Sequence, residues 1–138
     1  MQHQKTLEIS VVSQFIKDLS FENFNTGNIN VKSNPLEYNI NIDVKVKKEH
    51  DAVSEVILHL FCEALNIKGK EYILEIEYGG NFEVKSQNIQ EKIHLLTVEC
   101  TKLLFPFLRR LAYDITRESG FIPLNIKPVD FSQIGTKN

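Results

Sequence analysis

The stretch "KEYILEIEYGG", residues 70 to 80, decides the fold. Read as a strand, it sends Tyr72, Leu74, Ile76 and Tyr78 to one face, and Glu71, Ile73, Glu75 and Glu77 to the other, because side chains alternate along a strand. An apolar row backed by carboxylates predicts an antiparallel sheet with one face on a core and one in water. Gly79-Gly80 ends the alternation. Glycine lets the backbone bend or take positive φ at little cost. Ile73, alone among the acids, is the residue this pattern leaves without a use.

Working outward, residues 36 to 48 give the cleanest alternation. Tyr38, Ile40, Ile42, Val44 and Val46 form one row, and Glu37, Asn39, Asn41, Asp43, Lys45 and Lys47 the other. After a turn at "KEHDA", residues 53 to 65 return with Val56, Leu58, Leu60, Cys62 and Ala64 inward. Their other side mixes Ile57 and Phe61 with His59. Residues 6 to 22 also read as strand, with a blur at Val11-Val12 where a bulge would re-phase the faces. In "KDLSFE", Leu19 and Phe21 share one face and Asp18, Ser20 and Glu22 the other. Residues 23 to 35 are rich in Asn, Gly and Ser and close on Pro35, a loop signal.

Past Gly80 the period changes. Ile89, Ile93, Leu96, Cys100 and Leu103 keep to helical spacing. "LFP" (104–106) interrupts it, and proline disfavours a helix interior but suits its first turn. The expectation is a break near residue 104 and a second helix from Pro106 to about Ser119, with Phe107, Leu108, Leu111, Ala112 and Ile115 on its apolar face. Gly120 suits the position just past its end. Residues 121 to 131 should be extended, and a short helix should begin near Asp130. The expected fold is α+β: one domain over 1–138, with a four-stranded antiparallel sheet and a long crossover loop after strand 1. A broken long helix and a short C-terminal helix then pack on one sheet face.

The chain has 138 residues, 42% apolar and 25% charged, with net charge −2. Nucleic acid is not the expected partner, since phosphate binding normally shows as a basic excess. No run reaches the ~20 apolar residues of a membrane helix, and "MQHQKTLEIS" holds no signal-length apolar segment. A cytoplasmic location and no membrane insertion are therefore expected, with Cys62 and Cys100 reduced and buried. No phosphate loop or dinucleotide fingerprint occurs, so no cofactor is expected. The scattered His3, His50, His59 and His94 show no zinc spacing, so no metal is expected either. His59 and Cys62 lie three apart on a strand and face opposite sides. His94 and Cys100 lie six apart on a helix, about 240° round. Glu75 and Glu77 stand in the open, whereas acid catalysis needs a shielded carboxyl. No catalytic residue is assigned, and the chain is not read as an enzyme. Docking of a partner on the acidic face, or a small ligand carried between sheet and helices, are the readings left.

Four segments resemble the SecB family of export chaperones, in order and at near-constant spacing over almost the whole chain. "KDLSFE" (17–22) is similar to the family's KDxSFE, and "EYGGNF" (77–82) to its strand-ending GG-x-F. "LLFPF" (103–107) is similar to its I-LFPY, with Cys100 at the expected distance. "GFIPLNIKPVDF" (120–131) is similar to its G-x-FPxLxLxPVNF. Thr101 stands where the family has proline, and Ser33 where its crossover has an aromatic residue.

The resemblance implies a cytoplasmic homotetramer, a dimer of dimers, that holds unfolded precursor proteins without ATP and passes them to the motor SecA. It implies that the basic, zinc-bearing tail of SecA docks on Asp18, Glu22, Ile73 and Glu75, which would give Ile73 its use. It implies a client groove lined by Tyr72, Phe107 and Phe131. The mixed rear face of residues 53 to 65 would fit burial between protomers. A SecB-like chaperone serving a toxin–antitoxin pair is the alternative within the family.

Overall fold

The computed structural model describes residues 9–25, 36–50, 52–134 and 136–137. Strands β1 (Ile9–Asn23), β2 (Glu37–His50), β3 (Val53–Asn66) and β4 (Gly69–Val84) pair antiparallel in the order β1-β4-β3-β2. Two hairpins join β2 to β3 and β3 to β4. β1 and β2 lie on opposite sides of the β3–β4 pair, so the chain between them crosses from one side of the sheet to the other. Residues 26–35 of that crossover, with Ser33, are outside the described residues. A two-residue strand β5 (Thr136–Lys137) pairs parallel to β2 at Val44 and Lys45. So short a segment has no period for a sequence reading to detect.

Directly opposed residues of an antiparallel pair point the same way. The row Ile42–Leu60–Ile76–Leu19 therefore lies on the inner face, and the row Asn41–Phe61–Glu75–Ser20 on the outer face. Leu58, Leu60, Cys62, Tyr72, Leu74 and Ile76 are fully buried on the inner side, each large side chain adding about 1.5–3 kcal/mol of hydrophobic stabilisation. The register of β1 slips between Val11 and Ser13, where the sequence blurs, and again between Ile16 and Asp18. The second bulge, at Lys17, has a consequence for the surface. Ile16 opposes the inward Tyr78, yet Asp18 opposes the outward Glu77. Without that extra residue, Asp18, Ser20 and Glu22 would point at the core.

Gly79 and Gly80 are interlocks. A Cβ on Gly79 would overlap Ile57 Cδ1 and lie 3.0 Å from the Val56 carbonyl oxygen. Ile57 thus lies across Gly79 beside Phe15 and is buried on the outer face. A Cβ on Gly80 would lie 2.9 Å from both Phe82 Cε2 and the Ser13 carbonyl oxygen, because the Phe82 ring folds back over it.

The helical region is one joined rod: α1 (Ile89–His94), a π-type stretch (Leu95–Glu99) and α2 (Cys100–Glu118). Asn88 caps its start, its Oδ1 accepting the N–H groups of Gln90 at 2.9 Å and Glu91 at 3.3 Å. The break expected near residue 104 is absent, and Pro106 sits inside α2. Lys102, four residues earlier, loses its intrahelical donor, and both residues are exposed. The irregularity lies earlier, in the wide π turn. One inserted residue rotates the later turns of the rod by about 100°. Leu96 and Cys100 meet the sheet, and after them Leu104 and Leu108 rather than Leu103 and Phe107. Thr101 closes the wide turn, its hydroxyl reaching the carbonyls of Thr97 (2.9 Å) and Val98 (2.7 Å).

Gly120, at φ +90°, ends α2 as expected. Its N–H donates to the Arg117 carbonyl and that of Phe121 to the Thr116 carbonyl, each at 3.1 Å, the Schellman pattern. Residues 121–130 then run without helix or strand, and Phe121, Leu124 and Ile126 are buried. The Thr116 hydroxyl accepts the buried Leu124 N–H at 2.8 Å. The expected last helix is a single 3-10 turn, Phe131–Gln133, capped by Asp130.

Candidate functional site

Two surfaces stand out, one on each side of the sheet. The outer one is built on β1 and β4. Glu22 lies directly opposite Ile73, Ser20 opposite Glu75, and Asp18 opposite Glu77. The four residues assigned by resemblance, Asp18, Glu22, Ile73 and Glu75, therefore share one face. Asp18 and Glu22 are exposed and Ile73 and Glu75 half-buried. No cation among the described residues pairs with Asp18 or Glu22. Glu71 leaves this row, because the amides of Asn25 and Asn66 bind its carboxylate and bury it at the sheet end.

Sequence reasoning missed the continuation of this face across β3 and β2. His59 stands opposite Asp43 on one side and Glu77 on the other. Its Nε2 lies 2.7 Å from Glu75 Oε1 and its Nδ1 3.3 Å from Asp43 Oδ2. Burial works against protonating this imidazole, but hydrogen bonds to Glu75 and Asp43, and their charge, raise its pKa above the ordinary histidine value. Lys45 reaches Glu77 at 3.3 Å, and Lys70 reaches Glu63 at 3.3 Å. The ring nitrogens that a nucleophile would need are both held by carboxylates. Burial pushes the thiols up, Cys62 to about 11 and Cys100 to about 12, so neither is a ready thiolate.

The inner surface is a trough. α2 covers β3 and β4 and leaves the β2 side to the extended segment 121–130. Between them, Tyr38, Ile40 and Ile42 of β2 face Ile122, Leu124 and Ile126 across a cavity of about 700 Å³. Tyr38 and Ile40, expected in the core, are exposed there. Of the groove residues implied by resemblance, Phe107 is half-open on α2 and stacks on Tyr78, with ring centroids 5.8 Å apart. Tyr72 and Phe131 are buried: Tyr72 against Phe21 and Phe121, and Phe131 against Phe105. The structure does not bring these three rings together in one opening.

A second apolar strip runs along β1, where Val11, Val12, Ile16 and Leu19 are exposed, and along the rod at Ile89, Ile93 and Leu103. Among the described residues no cluster of side chains is arranged to hold a metal ion. No helix among them is long and apolar enough to cross a membrane.

A sheet with an open apolar trough on one side and a carboxylate face on the other defines a binding platform of the chaperone class. The comparisons make this particular. The family described as Preprotein translocase subunit SecB matches residues 2–138. The protein-export protein SecB of Paramagnetospirillum magneticum is 40% identical over 131 residues, 92% of this chain and 83% of its own. That of Parvibaculum lavamentivorans is 36% identical over 132 residues, covering 94% of this chain and 78% of its own. Among solved structures, a SecB-like chaperone of Mycobacterium tuberculosis, in complex with a peptide from the HigA1 antitoxin, superposes with a TM-score of 0.73. It is 12% identical and covers 88% of this chain and 91% of its own. The chain belongs to the SecB family, which is not a family of enzymes, and its function is that of a chaperone in preprotein export.

Proposed function

We propose that this chain is an ATP-independent holdase of the cytoplasm that binds unfolded secretory precursors and delivers them to SecA. The observation that carries the reading is the separation of two chemistries onto opposite sides of one sheet. The trough between β2 and segment 121–130 offers apolar side chains to an extended peptide. A surface of apolar subsites accepts many sequences without reading one. Binding the unfolded state lowers the client's apparent stability by mass action alone, so no nucleotide is required. Phe107 offers a separate apolar contact on α2, stacked on Tyr78, while Tyr72 and Phe131 are buried.

Asp18, Glu22, Ile73 and Glu75 offer the outer face to the basic tail of SecA. The acids orient a cationic segment and Ile73 adds apolar contact. With net charge −2, attraction acts locally, within roughly one Debye length of ~8–10 Å. The exposed strips on β1 and the helical rod support self-association into a homotetramer. This reading assigns the chain no catalytic activity.

The test is Asp18→Lys combined with Glu75→Lys. The double variant should lose binding to purified SecA while still suppressing aggregation of an unfolded precursor. Undiminished SecA affinity would refute the docking assignment. Loss of both activities would refute the separation of the two surfaces.

A further inference from the structure

We propose that His59 is a positioning residue of the acidic face: its imidazolium holds Glu75 against the sheet, and its neutral form releases Glu75 to a basic partner. This rests on the reading of that face as the docking site for SecA.

The geometry carries the argument. His59 sits between two carboxylates, Glu75 on β4 at 2.7 Å from Nε2 and Asp43 on β2 at 3.3 Å from Nδ1. A doubly protonated ring has a donor for each; a neutral ring has one N–H and one lone pair. Loss of a proton therefore turns one of the two contacts from attraction into lone-pair repulsion. Exposure decides which contact breaks. The Asp43 side chain is 7% exposed and that of Glu75 is 43% exposed, so Asp43 keeps the remaining N–H and Glu75 swings into water.

The surrounding charges allow the change to be felt. From β4, Glu77 faces His59, but Lys45 of β2 engages it. On β3 itself, Glu63 is engaged by Lys70. From β1, Asp18 lies one strand further, opposite Glu77. Glu75 is thus the docking carboxylate whose availability depends on a titrating neighbour. Burial opposes the charged ring, but both hydrogen bonds and the two carboxylate charges favour it, so the change falls above the ordinary histidine value. Lower pH keeps Glu75 occupied and weakens docking; higher pH frees it.

The experiment is the affinity of the full chain for purified SecA at pH 6 and pH 8, at fixed ionic strength, for wild type and His59→Gln. Proton NMR of the His59 ring is recorded in wild type and Glu75→Gln. Wild type should bind about three- to fivefold tighter at pH 8, the effect of one partly exposed charge pair. His59→Gln should show one affinity at both pH values. The His59 titration should move to lower pH in Glu75→Gln. A wild-type affinity independent of pH, or an equal slope in His59→Gln, overturns the proposal and leaves the docking site standing. An unchanged His59 titration in Glu75→Gln overturns it without reference to SecA. SecA that does not bind wild type at any pH removes the docking reading, and this inference with it.

Discussion

Thr116→Val is the most informative single change, because two simple views give it opposite signs. Thr116 is fully buried. A view based on hydrophobicity alone predicts that an apolar residue of the same shape stabilises this site. The hydrogen bonds predict the reverse. The Thr116 Oγ1 donates to the Ala112 carbonyl at 2.8 Å and accepts the Leu124 N–H at 2.8 Å. Valine leaves that buried N–H without a partner, which costs roughly 1–3 kcal/mol. Thr116→Ser keeps the oxygen and loses one methyl, about 0.8 kcal/mol. Stability should therefore fall in the order wild type, serine, valine, with valine about 2 kcal/mol below wild type. Urea unfolding at one fixed protein concentration measures this, since association would shift the midpoint. Leu124 also faces β2 across the trough, so the valine variant should hold an unfolded precursor less well than the serine variant. A valine variant at least as stable as serine would refute the idea that this bond anchors segment 121–130.

Gly79→Ala should destabilise by about 1–2 kcal/mol from overpacking against Ile57 and the Val56 carbonyl. Adding Ile57→Val removes the overlapping Cδ1 and should recover part of the loss in the same unfolding assay. Cys62 and Cys100 are buried with raised thiol pKa values of about 11 and about 12. At pH 8, roughly one thiol in a thousand or fewer is ionised, so a thiol-specific colorimetric reagent should modify the native protein slowly and the urea-unfolded protein at once. Rapid native modification would contradict the packing around both residues.

The strands were legible because a half-buried sheet writes its period into the sequence, as residues 36 to 48 and 70 to 78 do. Alternation states which way a side chain points, but not whether anything covers it. Tyr38 and Ile40 belong to the inward row of β2 and line an open trough, since α2 packs chiefly on β3 and β4. The π stretch was illegible for another reason. One residue added to a helical turn leaves composition and local spacing unchanged, yet it moves the buried stripe from Leu103 to Leu104. The outward direction of Ile73 and Glu75 came from alternation, while their grouping with Asp18 and Glu22 came through resemblance to a family. Pairing of β1 with β4 depends on a crossover, which no local pattern encodes. His59 was visible as a residue out of place between Ile57 and Phe61. Its two carboxylates come from β2 and β4, so only the register across three strands reveals them.

That register guards the division between the two faces. On β4, Tyr72 and Ile73 are adjacent residues committed to opposite sides, and so are Leu74 and Glu75. A slip of one residue would turn Glu75 and Glu77 into the core and Leu74 and Ile76 into water. Hairpin turns alone hold such a register weakly; the β3–β4 turn rests on Gly69 at φ +133° and on Asn66 Oδ1 accepting the Lys68 N–H at 2.7 Å. The glycine pair supplies the second anchor, at the far end of the strand. Ile57 of β3 fits only over a residue without Cβ on the outer face, and a Cβ on Gly80 would lie 2.9 Å from the Ser13 carbonyl oxygen of β1. A β4 shifted by one residue would set Tyr78 under Ile57 in one direction, or Asn81 against the Ser13 carbonyl in the other, and clash either way. The glycines that end the alternation in residues 70 to 80 thus hold its parity, and with it the separation of the trough from the carboxylate face.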